Sequence, residues 1–176
     1  MKGRTVFGTM ALMAFGVVIL GGNLAGQQKS GSAKEQFSGT WKLVSWKIEQ
    51  ANGELIDTTM GSDPSGWIMY RPEGRMCAAI MRRDRPQFVS NNALSGTSEE
   101  IKAAVEGYLS YCGSYEVNEQ QHFVVHSIQV SWFPNWLATE QKRFFQFDGD
   151  RLTLKTPPLI GIGEPQIHRL IWERLR

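Results

Sequence analysis

From residue 37 onward, short apolar segments with a two-residue alternation follow one another, separated by residue patterns typical of tight turns. The clearest turns are Asn52-Gly53, Arg71-Pro72-Glu73-Gly74 and Asp148-Gly149-Asp150. Strands that are joined by tight turns pair in antiparallel fashion. About eight such segments can be counted up to Arg174, and eight antiparallel strands can close into a barrel without exposed sheet edges. An open sandwich of two sheets is the competing architecture.

One segment departs from the strand pattern and predicts a helix. Thr97-Ser98-Glu99-Glu100 has the residues of a capping box, in which the first and last side chains bond each other's backbone amides. Apolar residues then recur at helical spacing as far as Leu109, and Gly113 ends the pattern. The sequence therefore predicts an all-β domain over residues 37–176: a single antiparallel eight-stranded barrel with one inserted amphipathic helix.

The first 25 residues have the organisation of a secretory signal peptide. Lys2 and Arg4 precede an uncharged apolar run from Val6 to Leu20, and small residues follow it. That run has about 15 residues, whereas a membrane-spanning helix needs about 20. We therefore predict cleavage near Ala25, a flexible linker over residues 26–36, and export to the periplasm or the extracellular space. An uncleaved N-terminal anchor is the alternative, and no stable membrane span is expected after cleavage.

The charge balance argues against a nucleic-acid partner. The chain has 19 Lys and Arg against 17 Asp and Glu. Loss of Lys2 and Arg4 with the signal peptide would leave 17 residues of each sign. Nucleic-acid binding usually relies on a basic face that neutralises phosphates, and a neutral domain gives no support for it.

Two cysteines, Cys77 and Cys112, lie in segments that we expect to be ordered. In an exported protein they could form one disulfide. Two buried free thiols are the alternative, since spacing along the chain does not show whether the two Cα atoms approach each other.

The first predicted strand carries the most specific family signature. Residues 37–45 read Phe-Ser-Gly-Thr-Trp-Lys-Leu-Val-Ser, which resembles the opening strand of the calycins, the superfamily of lipocalins and fatty-acid-binding proteins. The string that begins at Gly39 is especially similar to the fatty-acid-binding proteins. In calycins the Trp of this strand closes the base of the barrel, and an Arg of the last strand packs across it. Trp41 and Arg174 match these two positions, so the resemblance implies structural roles for both.

Other segments resemble the bacterial and fungal lipocalin-like domain family, and together they cover nearly all of residues 37–174. The similar segments are Asp63-Pro64-x-Gly66-x-Ile68-x-Tyr70, Gly74-Arg75-Met76, Gly107-Tyr108, Tyr111-x-Gly113-x-Tyr115, His126, Phe133-Pro134-Asn135-Trp136, Arg143, Asp148-Gly149-Asp150-x-Leu152-x-Leu154, and Pro157-Pro158. This resemblance implies an eight-stranded barrel and no settled activity. The chain departs from the family pattern at Cys77 and Cys112, where small residues are expected.

The segment from Phe123 to Trp132 places a histidine among apolar residues. Val124, His126, Ile128, Val130 and Trp132 share one face of a regular strand, and this face is expected to point into the barrel. A buried imidazole needs a hydrogen-bond partner to offset its desolvation. His126 is therefore either a core residue with its partners inside the protein, or a polar contact for a ligand, or a general base.

Arg143 lies on a second strand with inward-facing aromatic residues. If Phe145 and Phe147 point into the barrel, Arg143 does too, and it then needs an acidic partner from the protein or from a ligand. Carriers that resemble fatty-acid-binding proteins hold a carboxylate with such an Arg, which can grip both oxygens. The alternative is an outward Arg143 with Phe144 inside.

Three functions remain open at this stage. The first is an exported binding protein for a small hydrophobic or amphipathic ligand. Its predicted contacts are His126, Arg143, Tyr115, Tyr70, Met76 and Trp132. The second is a cyclase or isomerase that uses His126 as acid or base. The third is a filled barrel that binds another protein, which a cavity well below about 300 Å³ would favour.

No metal site and no cofactor are predicted. His122 and His126 are four residues apart on a predicted strand, which separates them by about 13 Å. His168 is distant in sequence and has no carboxylate beside it.

Overall fold

Eight strands close into an antiparallel barrel in this computed structural model, which describes residues 1, 3, 31–160 and 164–176. A ninth, short strand pairs with the C-terminal end of the first strand in antiparallel fashion. In chain order the strands are β1 Gly39–Glu49, β2 Leu55–Asp57, β3 Ser65–Tyr70, β4 Arg75–Met81, β5 Tyr108–Asn118, β6 Phe123–Ser131, β7 Glu140–Asp148, β8 Arg151–Lys155 and β9 Ile167–Leu175. The all-β antiparallel barrel is therefore confirmed.

The pairing of β1 with β9 excludes an open sandwich for the described residues. Apart from β2, each strand pairs with its neighbours in sequence, and β1 also pairs with β9 from Thr40↔Leu175 to Glu49↔Ile167. Closure of this kind leaves the barrel without free edges. The tight turn of residues 71–74 joins β3 to β4, where Gly74 has a φ of +85° that favours glycine.

The inserted helix is present but shorter than predicted. Helix α2 (Ser98–Glu106) starts at the predicted capping box and ends at Gly107, so that β5 already begins at Tyr108. Tyr108 and Leu109, which fit the helical spacing, instead pair with Met81 and Ile80 of β4. Ladder hydrogen bonds along β4 thus take precedence over the local helical pattern.

A second helix, α1 (Ala33–Phe37), lies where the sequence predicts the end of a linker. A capping box between Ser32 and Glu35 starts it, and Phe37 at its end is fully buried. Residues 26–30 of the predicted linker and nearly all of the predicted signal peptide lie outside the described residues. Among the helices of the described residues, none is long and apolar enough to span a membrane.

The barrel has one end closed by aromatic rings, which we call the base. Phe37 packs there against Tyr70, Phe145 and Phe147, with ring centroids 4.9 Å, 5.0 Å and 5.0 Å away. Trp41 is also fully buried at this end. The inward-facing side chains of β1, β7 and β9 extend the core from the base towards the opposite end of the barrel, where the interior is not completely filled.

The two cysteines form a disulfide between neighbouring strands. Cys77 on β4 and Cys112 on β5 are directly opposite partners in the ladder, and their Cα atoms are 4.1 Å apart. The bond closes a segment with a sequence separation of 35 residues. Of the two alternatives left open by the sequence, the structure shows the disulfide.

A bulge breaks the alternation of β6. Cys112 pairs with Val130 and Gly113 with Ile128, so Gln129 is an extra residue on β6. Val124, His126 and Ile128 point inward as predicted, whereas the side chains of Val130 and Trp132 are 65% and 36% exposed. The prediction that Val130 and Trp132 face inward is therefore wrong, because the extra residue reverses the alternation beyond Ile128.

Candidate functional site

A cavity of about 280 Å³ occupies the barrel interior at the end opposite to the base. Its walls are mostly aliphatic and aromatic, with a few polar side chains among them. The lining residues are Trp46, Ile68, Ala78, Ile80, Leu109, Tyr111, Trp136, Gln141, Arg143, Leu154, Thr156, Leu159, His168, Leu170 and Trp172. They come from seven of the eight barrel strands and from two loops, so barrel closure is what brings them together.

Arg143 carries the positive charge of this cavity. Phe145 is buried and Phe144 is exposed, so the inward orientation of Arg143 on β7 follows the prediction. Its guanidinium donates hydrogen bonds to the carbonyl oxygen of Lys142 at 2.7 Å and to Oε1 of Gln141 at 3.4 Å. Within the described part of the chain, no carboxylate lies within 4.0 Å of it.

His168 also lines the cavity, although it is not among the predicted contacts. Trp46 donates from Nε1 to His168 Nδ1 at 2.9 Å, and the backbone N–H of His168 donates to Thr156 Oγ1 at 2.9 Å. Burial, and secondarily the charge of Arg143, lower the pKa of His168. Since Nδ1 accepts a hydrogen bond, the neutral ring carries its proton on Nε2.

His126 lies one layer deeper, behind Tyr111. Its ring is fully buried between two phenols, with Nε2 at 2.9 Å from the Tyr70 hydroxyl and Nδ1 at 3.0 Å from the Tyr111 hydroxyl. Burial, with a smaller contribution from Arg143, lowers the pKa of His126 to about 3. The imidazole is therefore neutral at physiological pH, and both of its nitrogens have partners inside the protein.

The remaining predicted contacts lie away from the cavity. Tyr70 and Tyr115 pack against each other near the base, with ring centroids 4.9 Å apart, and the Tyr115 hydroxyl donates to the carbonyl oxygen of Arg71. Met76 is buried and borders a separate depression there. Trp132 lies on the outer surface. Of the six predicted contacts, Arg143 is thus the one that lines the cavity, with His126 behind its wall.

Several further lining residues follow the two-residue alternation of their strands, although they are not among the predicted contacts. Tyr111 shares the inward face of β5 with Gly113 and Tyr115, and His168 shares that of β9 with Trp172. Two-residue alternation would have selected these positions. Trp136 is different, since it lies in a single 3-10 turn after β6, where alternation gives no information.

No metal centre accompanies the cavity in the described residues, where no three His, Cys, Asp or Glu side chains are grouped to hold an ion. The lining side chains themselves offer hydrogen bonds, charge and apolar contact.

Comparison with known families is consistent with this architecture. The sequence profile of the lipocalin-like domain matches residues 38–175. The chain belongs to this family. Its matched region includes every strand of the barrel and all of the residues that line the cavity.

The proteins that are similar to this lipocalin-like chain include a fungal carrier and two bacterial proteins of known structure. The 4'-hydroxy-3'-methoxypropiophenone carrier protein ppsC of Aspergillus oryzae is 36% identical over an alignment of 107 residues, and the match covers 57% of this chain and 96% of the carrier. A lipocalin-like protein of Bacteroides uniformis is 13% identical, with a TM-score of 0.41, and the match covers 79% of this chain and 98% of that one. An uncharacterised protein of Bacteroides eggerthii is 12% identical, with a TM-score of 0.40 and coverages of 79% and 99%.

Proposed function

We propose that this chain is a carrier for a small, largely apolar organic molecule, which the cavity holds with its polar end beside Arg143 and His168. The observation that carries the proposal is the position of Arg143. A guanidinium inside a mostly apolar cavity, with no carboxylate near it in the described residues, is incompletely compensated. Oxygen atoms of a ligand would supply that compensation.

The size of the cavity supports a ligand of about one ring. A volume of about 280 Å³ is at the lower end for ligand pockets, which commonly measure about 300–1,000 Å³. Three indoles, those of Trp46, Trp136 and Trp172, supply flat walls suited to an aromatic ring. The Aspergillus carrier is named for an aryl ketone of this size, which supports a small phenolic or aryl ketone ligand here.

No specific observation favours either of the two alternative functions, the enzyme or the protein-binding barrel. His126 does not line the cavity, and both of its ring nitrogens are engaged by tyrosines, which is not the arrangement expected of a general base for a ligand in that cavity. The interior is not filled either, because a cavity is present near the size expected for a ligand pocket.

A cavity-filling substitution with a matched control tests the carrier function. Ala78 faces the cavity, whereas its neighbour Ala79 points away from the interior. We expect Ala78→Leu to weaken binding of 4'-hydroxy-3'-methoxypropiophenone at least about tenfold, because the added carbons occupy the ligand's space. Ala79→Leu should leave the affinity unchanged. Quenching of tryptophan fluorescence reports binding, since three tryptophans line the cavity.

Two results would count against the carrier proposal. Equal affinities of the Ala78→Leu and Ala79→Leu proteins would place the ligand outside this cavity. Absence of binding to the wild-type protein, for this aryl ketone and for a panel of single-ring phenols and aromatic acids, would remove the proposal altogether.

Export remains part of the proposal. The order of charged, apolar and small residues at the start of the chain supports it, as does the Cys77–Cys112 bond, because disulfides persist mainly in oxidising compartments. N-terminal sequencing of the protein recovered from its native host checks it. A mature chain that begins near Gly26 is expected, and an intact N-terminus would indicate an anchor or retention.

A further inference from the structure

Tyr70, His126 and Tyr111 form a line of hydrogen bonds that runs from the interior of the barrel to the cavity wall. They come from β3, β6 and β5, and their side chains are at most 7% exposed. The His126 ring is at 2.9 Å from the Tyr70 hydroxyl and at 3.0 Å from the Tyr111 hydroxyl. Of the three residues, Tyr111 lines the cavity.

The chemistry of a neutral imidazole restricts how protons are placed along this line. One ring nitrogen carries a hydrogen and donates, and the other accepts. One tyrosine must therefore donate to His126 while the other accepts from it. The hydroxyl that accepts from the ring keeps its own hydrogen free for a further partner.

The environment of Tyr70 decides between the two directions. Within the described residues, His126 is the one hydrogen-bond partner of the Tyr70 hydroxyl. Tyr70 is 2% exposed, and its ring packs against those of Phe37 and Tyr115. If Tyr70 accepted from His126, its own hydrogen would have no acceptor among the described residues, and a buried unpaired donor is costly. Tyr70 therefore donates to Nε2.

The rest of the line follows from that donation. His126 carries its proton on Nδ1 and donates it to the Tyr111 oxygen, so the Tyr111 hydrogen is left over at the cavity wall. A ligand or water in the cavity can accept it, whereas nothing comparable is available to Tyr70. His126 thus acts as a positioning residue that fixes the polarity of Tyr111 towards the cavity.

Other polar groups at the cavity have the same polarity. Arg143 has donors only, and His168 carries its free proton on Nε2. The indole Nε1–H of Trp172 is buried without a hydrogen-bond partner in the described residues. The Oε1 atom of Gln141 accepts from Arg143, and Thr156 Oγ1 accepts from the His168 backbone. Donors without an internal partner therefore predominate over free acceptors.

We infer that Tyr111, oriented by His126, is a specificity-determining donor that selects ligands with an oxygen acceptor at this wall. Ketones, esters, ethers, phenolates and carboxylates satisfy it, and ammonium groups, which have donors only, do not. The inference rests on the proposed carrier function and names the class of ligand that the same cavity takes.

The protonation pattern of His126 can be measured without any ligand. ¹⁵N NMR of the full chain distinguishes the two neutral tautomers of a histidine, because protonated and unprotonated ring nitrogens have different shifts and couplings. We expect a neutral His126 ring that is protonated on Nδ1 and unchanged between pH 5 and pH 8. A ring protonated on Nε2, or on both nitrogens, would overturn the inference.

The ligand selectivity is tested with three probes and two variants. The probes are 4'-hydroxypropiophenone, which has two oxygens, its analogue with a methylene in place of the carbonyl, and its analogue without the phenolic oxygen. One hydrogen bond corresponds to about a 2- to 12-fold change in affinity. In wild-type protein, removal of one of the two oxygens should weaken binding by this factor, and Tyr111→Phe should abolish that difference. Tyr108→Phe, on the same strand but outside the cavity, is the control and should retain it.

The outcomes separate this inference from the carrier function. Failure of all three probes to bind wild-type protein would refute the carrier function for this ligand class, and the inference with it. Binding of all three probes with equal affinity would refute the inference alone. A uniform loss of affinity for all three in Tyr111→Phe would also overturn it, since that result indicates packing rather than a hydrogen bond.

Discussion

The guanidinium carbon of Arg174 on β9 lies 4.1 Å from the centroid of the Trp41 ring on β1, at the base of the barrel. The same guanidinium donates to the carbonyl oxygens of Ser38 and Gln36, and Trp41 Nε1 donates to the carbonyl oxygen of Phe37 at 2.8 Å. The two residues therefore tie helix α1 to the first and last strands. This arrangement agrees with the structural roles that the calycin resemblance implies for Trp41 and Arg174.

Replacement of Arg174 should weaken the closure of the base. We expect Arg174→Ala to lower the free energy of unfolding by about 2 kcal/mol, through loss of ring stacking and of two backbone contacts. Arg174→Lys should recover less than half, because an ammonium lacks the planar fork. Urea denaturation followed by tryptophan fluorescence measures both. Arg176→Ala, at an exposed position, is the control, and an equal loss there would contradict the role of Arg174.

The disulfide between β4 and β5 should contribute measurably to stability. Its loop, with a sequence separation of 35 residues, is long enough that we expect loss of the bond to cost about 2–4 kcal/mol. The measurement is thermal unfolding of wild type with and without a reductant. The double variant Cys77→Ala and Cys112→Ala should unfold at the temperature of the reduced wild type and should not respond to reductant. A melting temperature of the wild type that is insensitive to reduction would disagree with this expectation.

The barrel could be predicted from the sequence because its determinants are local. Tight turns at residues 71–74 and 148–150 set antiparallel neighbours, and two-residue alternation sets the inward face. The bulge at Gln129 could not be predicted in this way, because it depends on the partner strand. A Cβ on Gly113 of β5 would lie 1.9 Å from the carbonyl oxygen of Ser127, so the two backbones approach too closely for any side chain there. One extra residue then reversed the orientation predicted for Trp132.

Two-residue alternation predicts which side chains of the site point into the barrel. It does not predict how far along the barrel axis each of them lies. The inward orientation of Arg143 is one of the two alternatives that alternation leaves open, and the burial of Phe145 on the same face decides for it. His126 also points inward, but position along the barrel axis places it behind Tyr111 rather than at the cavity. Alternation gives the face of a strand and not the layer within the barrel. Alternation on β9 puts His168 on the inward face, but its contact with Trp46 could not be predicted in this way, because the two residues become neighbours through the β1–β9 pairing.

Phe37 should be essential for the stability of the base. It is fully buried among Tyr70, Phe145 and Phe147, and truncation of a buried Phe costs about 3–5 kcal/mol. We expect Phe37→Ala to lose that amount in urea denaturation, whereas Lys34→Ala, on the exposed side of α1, should change little.

A pair of truncated chains tests independently whether α1 stabilises the base. Residues 31–176 form one compact unit, so a chain that begins at Gly31 should keep the stability of the barrel. A chain that begins at Gly39 lacks α1 and should lose at least as much as Phe37→Ala. Equal stability of the two truncated chains would show that α1 does not close the base.

Burial of a neutral His126 should make stability depend on pH. In the native state its pKa is lowered to about 3 by burial and by Arg143, whereas in the unfolded chain it is about 6.5. Above pH 6.5 the ring is neutral in both states, and stability is at its full value. Below pH 6.5 the unfolded chain binds a proton that the native state does not. Stability should then fall by about 1.4 kcal/mol per pH unit until the pH approaches the native pKa.

Comparison of two histidine variants isolates this contribution from that of other titrating groups. His126→Gln removes the titrating ring while keeping a polar side chain. Between pH 6.5 and pH 4.5 its free energy of unfolding should therefore fall less steeply than that of the wild type, and the two slopes should differ by the contribution of about one bound proton. His122→Gln, at an exposed turn, should keep the wild-type slope. His168, whose pKa is also lowered, contributes in the same direction in all three proteins. Urea denaturation at several pH values gives the slopes, and identical slopes for wild type and His126→Gln would mean that His126 is not held neutral in the folded barrel.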